Sequence, residues 1–259
     1  MTDPAGPAST AAANAGRSQT DVVIDGIKRL ILSGDLGPGS RLPVEKDLAA
    51  QLGVSRGSLR EGVRALAILG VLETRQGDGT YVTSLDASRL LSPLGFLAEL
   101  PDPATSAHLL GVRRILEAES AARAALELTD DELAGLGAIL DEVDTLLGDS
   151  KRELDLEHFI DADTAFHRSI AQASRNPALA ALIENLAGRT SRTRLWRAIS
   201  ERGAVESTQL EHRAILSELA QRDPERARIR MEVHILAVEE FAASHPGDAP
   251  TAAAVDSAQ

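Results

Sequence analysis

The sequence predicts a mainly α-helical protein made of two regions of different grain, the first carrying one small β-hairpin. Three observations carry that reading. Apolar residues make up 43% of the 259-residue chain and aromatics only 2%. Such a core suits close-packed helices, because strands favour β-branched and aromatic side chains. Apolar positions recur at helical spacing over most of the length. The strand signal is confined to "GVLETRQGDGTYVTS", where two short runs flank Gly77-Asp78-Gly79. Composition also removes several classes of protein. The absence of cysteine rules out a disulfide framework and a thiolate metal site. There is no apolar run long enough for a membrane span and no signal-peptide pattern, so a soluble cytoplasmic protein with no membrane contact is expected.

Taken in order, residues 1–18 ("MTDPAGPASTAAANAGRS") are Ala/Pro/Ser/Gly-rich without periodicity, as is the tail 246–259, and both are expected to be disordered. The first structured region is placed at 19–84. Val23, Ile27, Leu30 and Ile31 form a helical stripe that the breaker cluster "SGDLGPG" closes. "LPVEKDLAAQLG" reads as a second helix, with Pro43 near its start and Gly53 as its stop. After a tight turn, Ser55 is placed to cap a third helix running to about Leu69, and the hairpin follows. Helix, helix, turn, helix, hairpin is the order of a winged helix-turn-helix. The second region, 85–245, reads as helices near 86–99, 105–127, 130–147, 151–173, 177–200, 205–221 and 224–243, an all-α antiparallel bundle. Its breaks have mechanisms: "TDDE" at Thr129 is a cap followed by acids, and "SRNPAL" and "QRDPER" place Asn or Asp just before a first-turn proline.

The formal charge of −12 lies outside the winged region, because Asp21 to Ser84 holds eight Lys/Arg and eight Asp/Glu. An acidic total therefore does not argue against nucleic acid; the local field on the binding face decides. In a helix-turn-helix the second helix enters the major groove and its N-terminal side chains reach base edges. Arg56 and Arg60 lie there, one turn apart, and an arginine making two hydrogen bonds to guanine gives roughly 1–3 kcal/mol of discrimination. Ser55 and Ser58 suit phosphates, Lys46 reaches a base or a phosphate, and Gly77 at the wing tip allows close backbone approach to the minor groove. Arg64, two turns in, serves a phosphate or an internal acid. A solvated amphipathic surface helix would show the same arginines; the surrounding winged-helix order favours DNA.

The stretch from "ILSGDLGPGSRLPVEKDLAAQLGVSRGSLREGVRALAILGVLETRQGDGTYV" resembles the DNA-binding domain of GntR-type bacterial transcription regulators. It carries G-x-L-x-P-G-x-x-L-P-x-E, L-A-x-x-x-G-V-S-R, L-R-E and G-x-G-x-x-V. The resemblance implies that Arg56 and Arg60 read bases, that Gly77 is the wing-tip glycine, and that Ser55 and Ser58 touch phosphates. Three positions depart from the pattern. Lys46 stands for a common arginine and lacks its planar fork. Gly57 stands where Thr or Pro is frequent. Gly62 stands where Ala is usual, at a cost of about 1 kcal/mol inside a helix.

Three of the six histidines in the chain fall on apolar stripes. His212 shares a face with Ile215, Leu216 and Leu219, and His234 with Met231, Ile235, Val238 and Phe241. His167 aligns with Ile160 and Ile170, one turn after Asp163. Three inward imidazoles and a carboxylate need partners. Either each is a core residue bonded to a carbonyl, or a divalent metal satisfies all four; Zn²⁺ fits best, with Ni²⁺ or Mn²⁺ as other choices. His108, His158 and His245 lack such settings. Arg113 shares a face with Leu109 and Leu116 and calls for a buried anionic partner, either a ligand or Glu117 one turn on. Trp196 is read as a packing residue.

This region resembles the all-helical FCD effector domain of the FadR subfamily of GntR regulators. "VRRILEAESAARAA", "DADTAFHRSIAQASRNPAL", "EHRAIL" and "MEVHI" carry the likeness. In the metal-binding branch, it implies that Asp163, His167, His212 and His234 are the four metal ligands and that Arg113 takes part in effector binding. The whole reading is a non-enzymatic transcription regulator, most often a repressor. It binds a pseudo-palindromic double-stranded operator as a homodimer and is controlled by a small carboxylate at a divalent metal. The rival readings are a metal sensor, a metal-dependent hydrolase-like domain fused to a DNA-binding module, and a lipid-thioester pocket without metal.

Overall fold

The computed structural model describes residues 17–93, 103–148 and 154–245, and the chain divides into two compact units, one up to Pro93 and one from Leu94 onward. The first holds α1 (Gln19–Leu32), α2 (Glu45–Leu52), α3 (Arg56–Ile68), β1 (Leu72–Arg75), β2 (Gly79–Val82) and the short α4 (Ala87–Leu91). The second holds α5 (Pro103–Glu127), α6 (Asp130–Gly148), α7 (Leu156–Ala173), α8 (Pro177–Ser200), α9 (Ala204–Ala220) and α10 (Pro224–Ser244). Both expected tails lie largely outside the described residues.

In the first unit the helix boundaries follow from caps. Ser18 and Asp21 close a reciprocal capping box on α1. Gly53 ends α2 in the left-handed region at φ +67°. Ser55 Oγ accepts from the Ser58 amide at 3.1 Å, as expected of a cap. The hairpin pairs Leu72 with Val82 and Arg75 with Gly79. It also gains a third arm that periodicity did not reveal. The Leu42 amide donates to the Thr80 carbonyl (2.8 Å) and the Val82 amide to the Ser40 carbonyl (2.9 Å). That pairing keeps the chain extended through Leu42, so α2 begins at Glu45 and Pro43 lies before the helix, not in its first turn.

Two further expectations shift. The helix expected over 86–99 is described only as α4, capped by Asp86 on the Arg89 amide (2.9 Å); residues 94–102 lie outside the described ones. Because Arg89 pairs with Glu73 at 3.3 Å, α4 belongs to the first unit, and the break falls after Pro93 instead of Ser84. The helix expected from 151 begins at Leu156, since Asp155 turns its carboxylate onto the His158 amide (2.9 Å) as a cap.

The core of the first unit includes Val23, Ile27, Leu48, Leu59, Leu66, Leu72 and Val82. Here Gly62 acquires a reason. A Cβ built on it would fall inside contact distance of Val23 Cγ1 and Cβ, so α1 and α3 approach more closely than alanine permits. Val23 is fully buried and β-branched, and has nowhere to turn. Gly57 has no such neighbour, its nearest being Ser55 Oγ at 3.6 Å; nothing in the fold explains it.

In the second unit α5 lies antiparallel against α10, and Leu110, Leu136, Leu140, Phe166, Ile170, Ile215, Leu219, Met231 and Ile235 form the core. Thr129 and Glu132 box the start of α6, while Asn176 and Asp223 cap α8 and α10 ahead of their prolines. Two arginines at helix ends adopt positive φ, Arg175 after α7 (+55°) and Arg222 after α9 (+57°). Both side chains reach the α5–α6 turn. Arg175 grips Glu132 (2.7 and 2.9 Å), and Arg222 reaches the Leu128 carbonyl and Asp130. No helix among the described residues is long and apolar enough to cross a membrane.

Restoring the usual residue at the tight crossing should harm the fold. Gly62→Ala gains about 1 kcal/mol of helix propensity but overpacks Val23, a defect of roughly 1–3 kcal/mol. A lower urea midpoint is expected; an unchanged or higher midpoint would refute the close-approach account.

Candidate nucleic-acid interface and metal centre

The sequence-predicted reading residues gather at the N-terminal end of α3. Arg56 and Arg60 are exposed, and Ser55 Oγ is already engaged as the cap and lies 2.9 Å from Ser58 Oγ. Lys46 is exposed on α2. Gly77 takes φ +75° at the wing tip, a conformation that favours glycine. One participant was not singled out from sequence. Glu45 receives Arg60 side-on, with Nε 3.0 Å and Nη2 2.8 Å from Oε2. This leaves Nη1 outside the pair, and the pair lowers the Glu45 carboxyl below its ordinary range through that hydrogen bond. The E of "L-P-x-E" was the only signal available.

In the second unit Asp163 and His167 come from α7, His212 from α9 and His234 from α10, all buried. One ligand atom from each lies within 4.8 Å of every other. His167 Nε2 sits 3.2 Å and His212 Nε2 3.3 Å from His234 Nε2, and Asp163 Oδ1 is 3.6 Å from His212 Nε2. The outer nitrogens are held by carboxylates. His167 Nδ1 donates to Glu117 Oε2, and His234 Nδ1 donates to Glu211 Oε2 at 2.8 Å. With Nδ1 carrying the proton, the Nε2 of both rings turns a bare lone pair inward. Burial, together with the neighbouring imidazoles, pushes the pKa of His212 and of His234 well below 6.5, so both stay neutral. The bare Nε2 atoms of His167 and His234 face each other at 3.2 Å and repel, with His212 Nε2 and Asp163 Oδ1 beside them. The donor set fits a divalent cation.

Around this cluster runs a network of buried arginines. Arg113 is fully buried, donates from Nε to Glu117 and from Nη1 to Thr190 Oγ1 (2.6 Å), and leaves Nη2 without a hydrogen-bond partner. Glu117, one of the two anionic partners open to it from sequence, is in contact with it. Burial alone would raise the Glu117 pKa, but the Arg113 charge beside it and the hydrogen bonds it accepts from His167 and Arg113 pull it far below the carboxylate range. Arg194 Nη1 lies against Asp163 Oδ2. Arg197 donates to Glu201 at 2.7 Å, with its Nη1 unpartnered. Arg194 and Arg197 line a cavity of about 20 Å³ with Asp163, His234, Phe159, Thr208 and Val205, room for about one water. Sequence reasoning passed over these two arginines. The stripe Ile183, Ala187, Thr190, Arg194, Arg197 placed them inward, but α8 also carries the exposed Arg192, and composition does not separate them. His108 is exposed, His158 meets Glu142 at 3.0 Å, and Trp196 packs on Phe241 at 4.9 Å between ring centroids.

Comparison with known proteins matches the two units separately. Residues 19–82 match the bacterial regulatory proteins of the gntR family, and residues 108–237 match the FCD domain. The chain belongs to the GntR family. The Bacillus subtilis transcriptional regulator LutR is 31% identical over 82% of this chain and 95% of its own length. The Glc operon transcriptional activator of Escherichia coli is 36% identical over 64% of the chain, a match that spans 65% of the activator. A Streptococcus agalactiae GntR structure superposes with a TM-score of 0.61 at 28% identity, covering 85% of this chain and 99% of that one. These relatives are regulators, and this GntR-family chain carries the family's DNA-binding and FCD modules.

The buried imidazoles set a pH dependence. Their folded pKa values lie below 6.5, so the unfolded chain takes up protons that the folded chain does not as pH falls through about 6.5. Glu117 adds stability that is present above the ordinary carboxylate range and lost in stronger acid. The urea midpoint of metal-free protein should hold from pH 8 to 7 and fall between pH 6.5 and 5. A flat midpoint down to pH 5 would show that these rings are not buried neutral.

Proposed function

We propose that the chain is a transcription repressor that binds a pseudo-palindromic operator as a homodimer, under the control of a small organic acid at a divalent-metal site. The observation that carries the reading is the buried cluster of His167, His212, His234 and Asp163, in which Glu117 and Glu211 orient His167 and His234 from behind. Those four residues would hold the ion, with Zn²⁺ favoured by a set of three nitrogens and one carboxylate oxygen. When bound, the ion supplies positive charge and an open coordination position for an acid. The chain's own contribution is cationic: at the cavity Arg194 offers its Nε donor and Arg197 its Nη1. A carboxylate effector would take over Arg197 from Glu201, whose side chain is half exposed. Arg113, the effector residue expected from sequence, fits a supporting role through Glu117, with only Nη2 to offer. An acid that binds one arrangement of the dimer better shifts the population toward it.

On the DNA side, Glu45 fixes Arg60 side-on and leaves its outer edge for guanine, while Arg56 reads independently. Lys46, Ser55, Ser58 and Gly77 position the backbone.

Two measurements test this. Protein purified without chelator should carry close to one equivalent of metal by elemental analysis, and His212→Ala should lose it together with any thermal stabilisation by added Zn²⁺. A metal-free wild type indifferent to Zn²⁺ would remove the metal reading. With operators selected from a random duplex pool, Arg56→Ala or Arg60→Ala should each lower the affinity ratio of operator to random duplex at least tenfold, from two lost contacts, one per protomer, of roughly 1–3 kcal/mol each; an unchanged ratio would remove the reading helix. A reporter placed behind the selected operator distinguishes repression from activation.

A further inference from the structure

Between α3 and the wing lies a groove of about 660 Å³, floored by Arg41, Leu42 and Pro43. One wall is Arg60, Val63 and Arg64 of α3 with Glu45; the other runs from Thr74 and Arg75 through the wing tip to Thr80. Four arginines therefore line it, against two acids, and both acids are engaged. Glu45 holds Arg60, and Asp78 accepts from the Tyr81 hydroxyl at 2.9 Å. Arg41 has a built place. Gly79, at φ +138°, passes so close that a Cβ would stand 2.8 Å from Arg41 Nε, so the guanidinium lies along the wing backbone where any side chain would displace it. Arg75 stacks its guanidinium 4.3 Å over the Tyr81 ring and pairs with Glu73 on the same strand. Arg64 is exposed on the α3 wall.

We propose that this groove is a phosphodiester track: Arg41 and Arg64 grip the sugar-phosphate backbone that runs between the major groove read by α3 and the minor groove entered by Gly77, while Arg75 stays paired with Glu73 on the wing wall. The reasons are geometric and electrostatic. The groove separates the two elements that enter different grooves of the duplex, and a backbone strand is what lies between those grooves. Its free cations do not form the paired fork to a base at the tip of α3, so they fix register and carry no sequence information. Arg41 belongs to the extended arm on β2 and Arg64 to the middle of α3, which holds both walls at fixed spacing. The inference rests on the DNA-binding reading above and adds residues that the reading helix does not need.

The test measures the salt dependence of binding to a 30-base-pair duplex of mixed sequence, by fluorescence anisotropy between 50 and 200 mM salt, with full-length protein. Each phosphate contact contributes about 0.9 to the slope of log K against log salt. A homodimer makes each contact twice, so Arg41→Ala and Arg64→Ala should each flatten the slope by about 1.8, and the double variant by about twice as much. Binding to a selected operator should weaken in parallel, leaving the ratio of operator to random duplex within about twofold. Arg41→Gln keeps the stem packed and should flatten the slope as Arg41→Ala does, which separates lost charge from lost structure. Thermal unfolding confirms that each variant is folded. Arg192→Ala removes an exposed cation from the other unit and should change nothing. An unchanged slope in folded Arg41 and Arg64 variants, an equal change in Arg192→Ala, or a collapse of the operator ratio would each overturn the track. A wild type with no salt-dependent affinity for any duplex would instead overturn the DNA-binding reading itself.

Discussion

The helical unit depends on the burial of the Arg113 guanidinium, which forces everything around it to be polar in an orderly way. A fully buried cation is tolerable only when paired, and removing a partner from such a pair costs about 3–5 kcal/mol. Glu117 answers Arg113 with one carboxylate oxygen and His167 with the other. That second contact fixes the proton of His167 on Nδ1 and so decides which way its lone pair points. The orientation of the metal-type cluster is thus set from α5, a helix that contributes no ligand to it. Glu211 does the same for His234 from α9.

The winged unit solves the opposite problem. Its functional side chains are exposed, and exposed ion pairs contribute little to stability, so precision must come from the backbone. Two glycines supply it. Gly62 lets α1 and α3 close to a distance that alanine would forbid, and Gly79 lets Arg41 lie flat along the wing. The side-on pair of Arg60 with Glu45 then restricts a long side chain that would otherwise sample many rotamers. This pair's value lies in geometry, not in stability.

Much of this was legible in the sequence because it is local. Caps at Ser55, Thr129, Asn176 and Asp223 are short-range chemistry, and the stripes of His167, His212 and His234 follow from helical period alone. The illegible parts depend on approach between distant segments. The third arm at Gly39–Leu42 is paired through backbone groups that any residue supplies. The reason for Gly62 lies in Val23, and the inward placement of Arg194 is visible only once Asp163 faces it. Sequence spacing could place Glu117 one turn from Arg113, but not tell a ligand from an internal carboxylate as its partner. The helix start at Leu156 was missed by a few residues because Asp155 reads equally well as a cap and as a first-turn acid.

The two left-handed arginines carry a mechanical consequence. Arg175 and Arg222 close different helices, yet both fasten onto the same α5–α6 turn. The C-terminal ends of α7 and α9 are therefore pinned at a common point, while their N-terminal ends carry Phe159 and Val205, which wall the small cavity beside Asp163. The fold thus ties α7 and α9 together at the end away from the cavity, with the α5–α6 turn as the shared anchor.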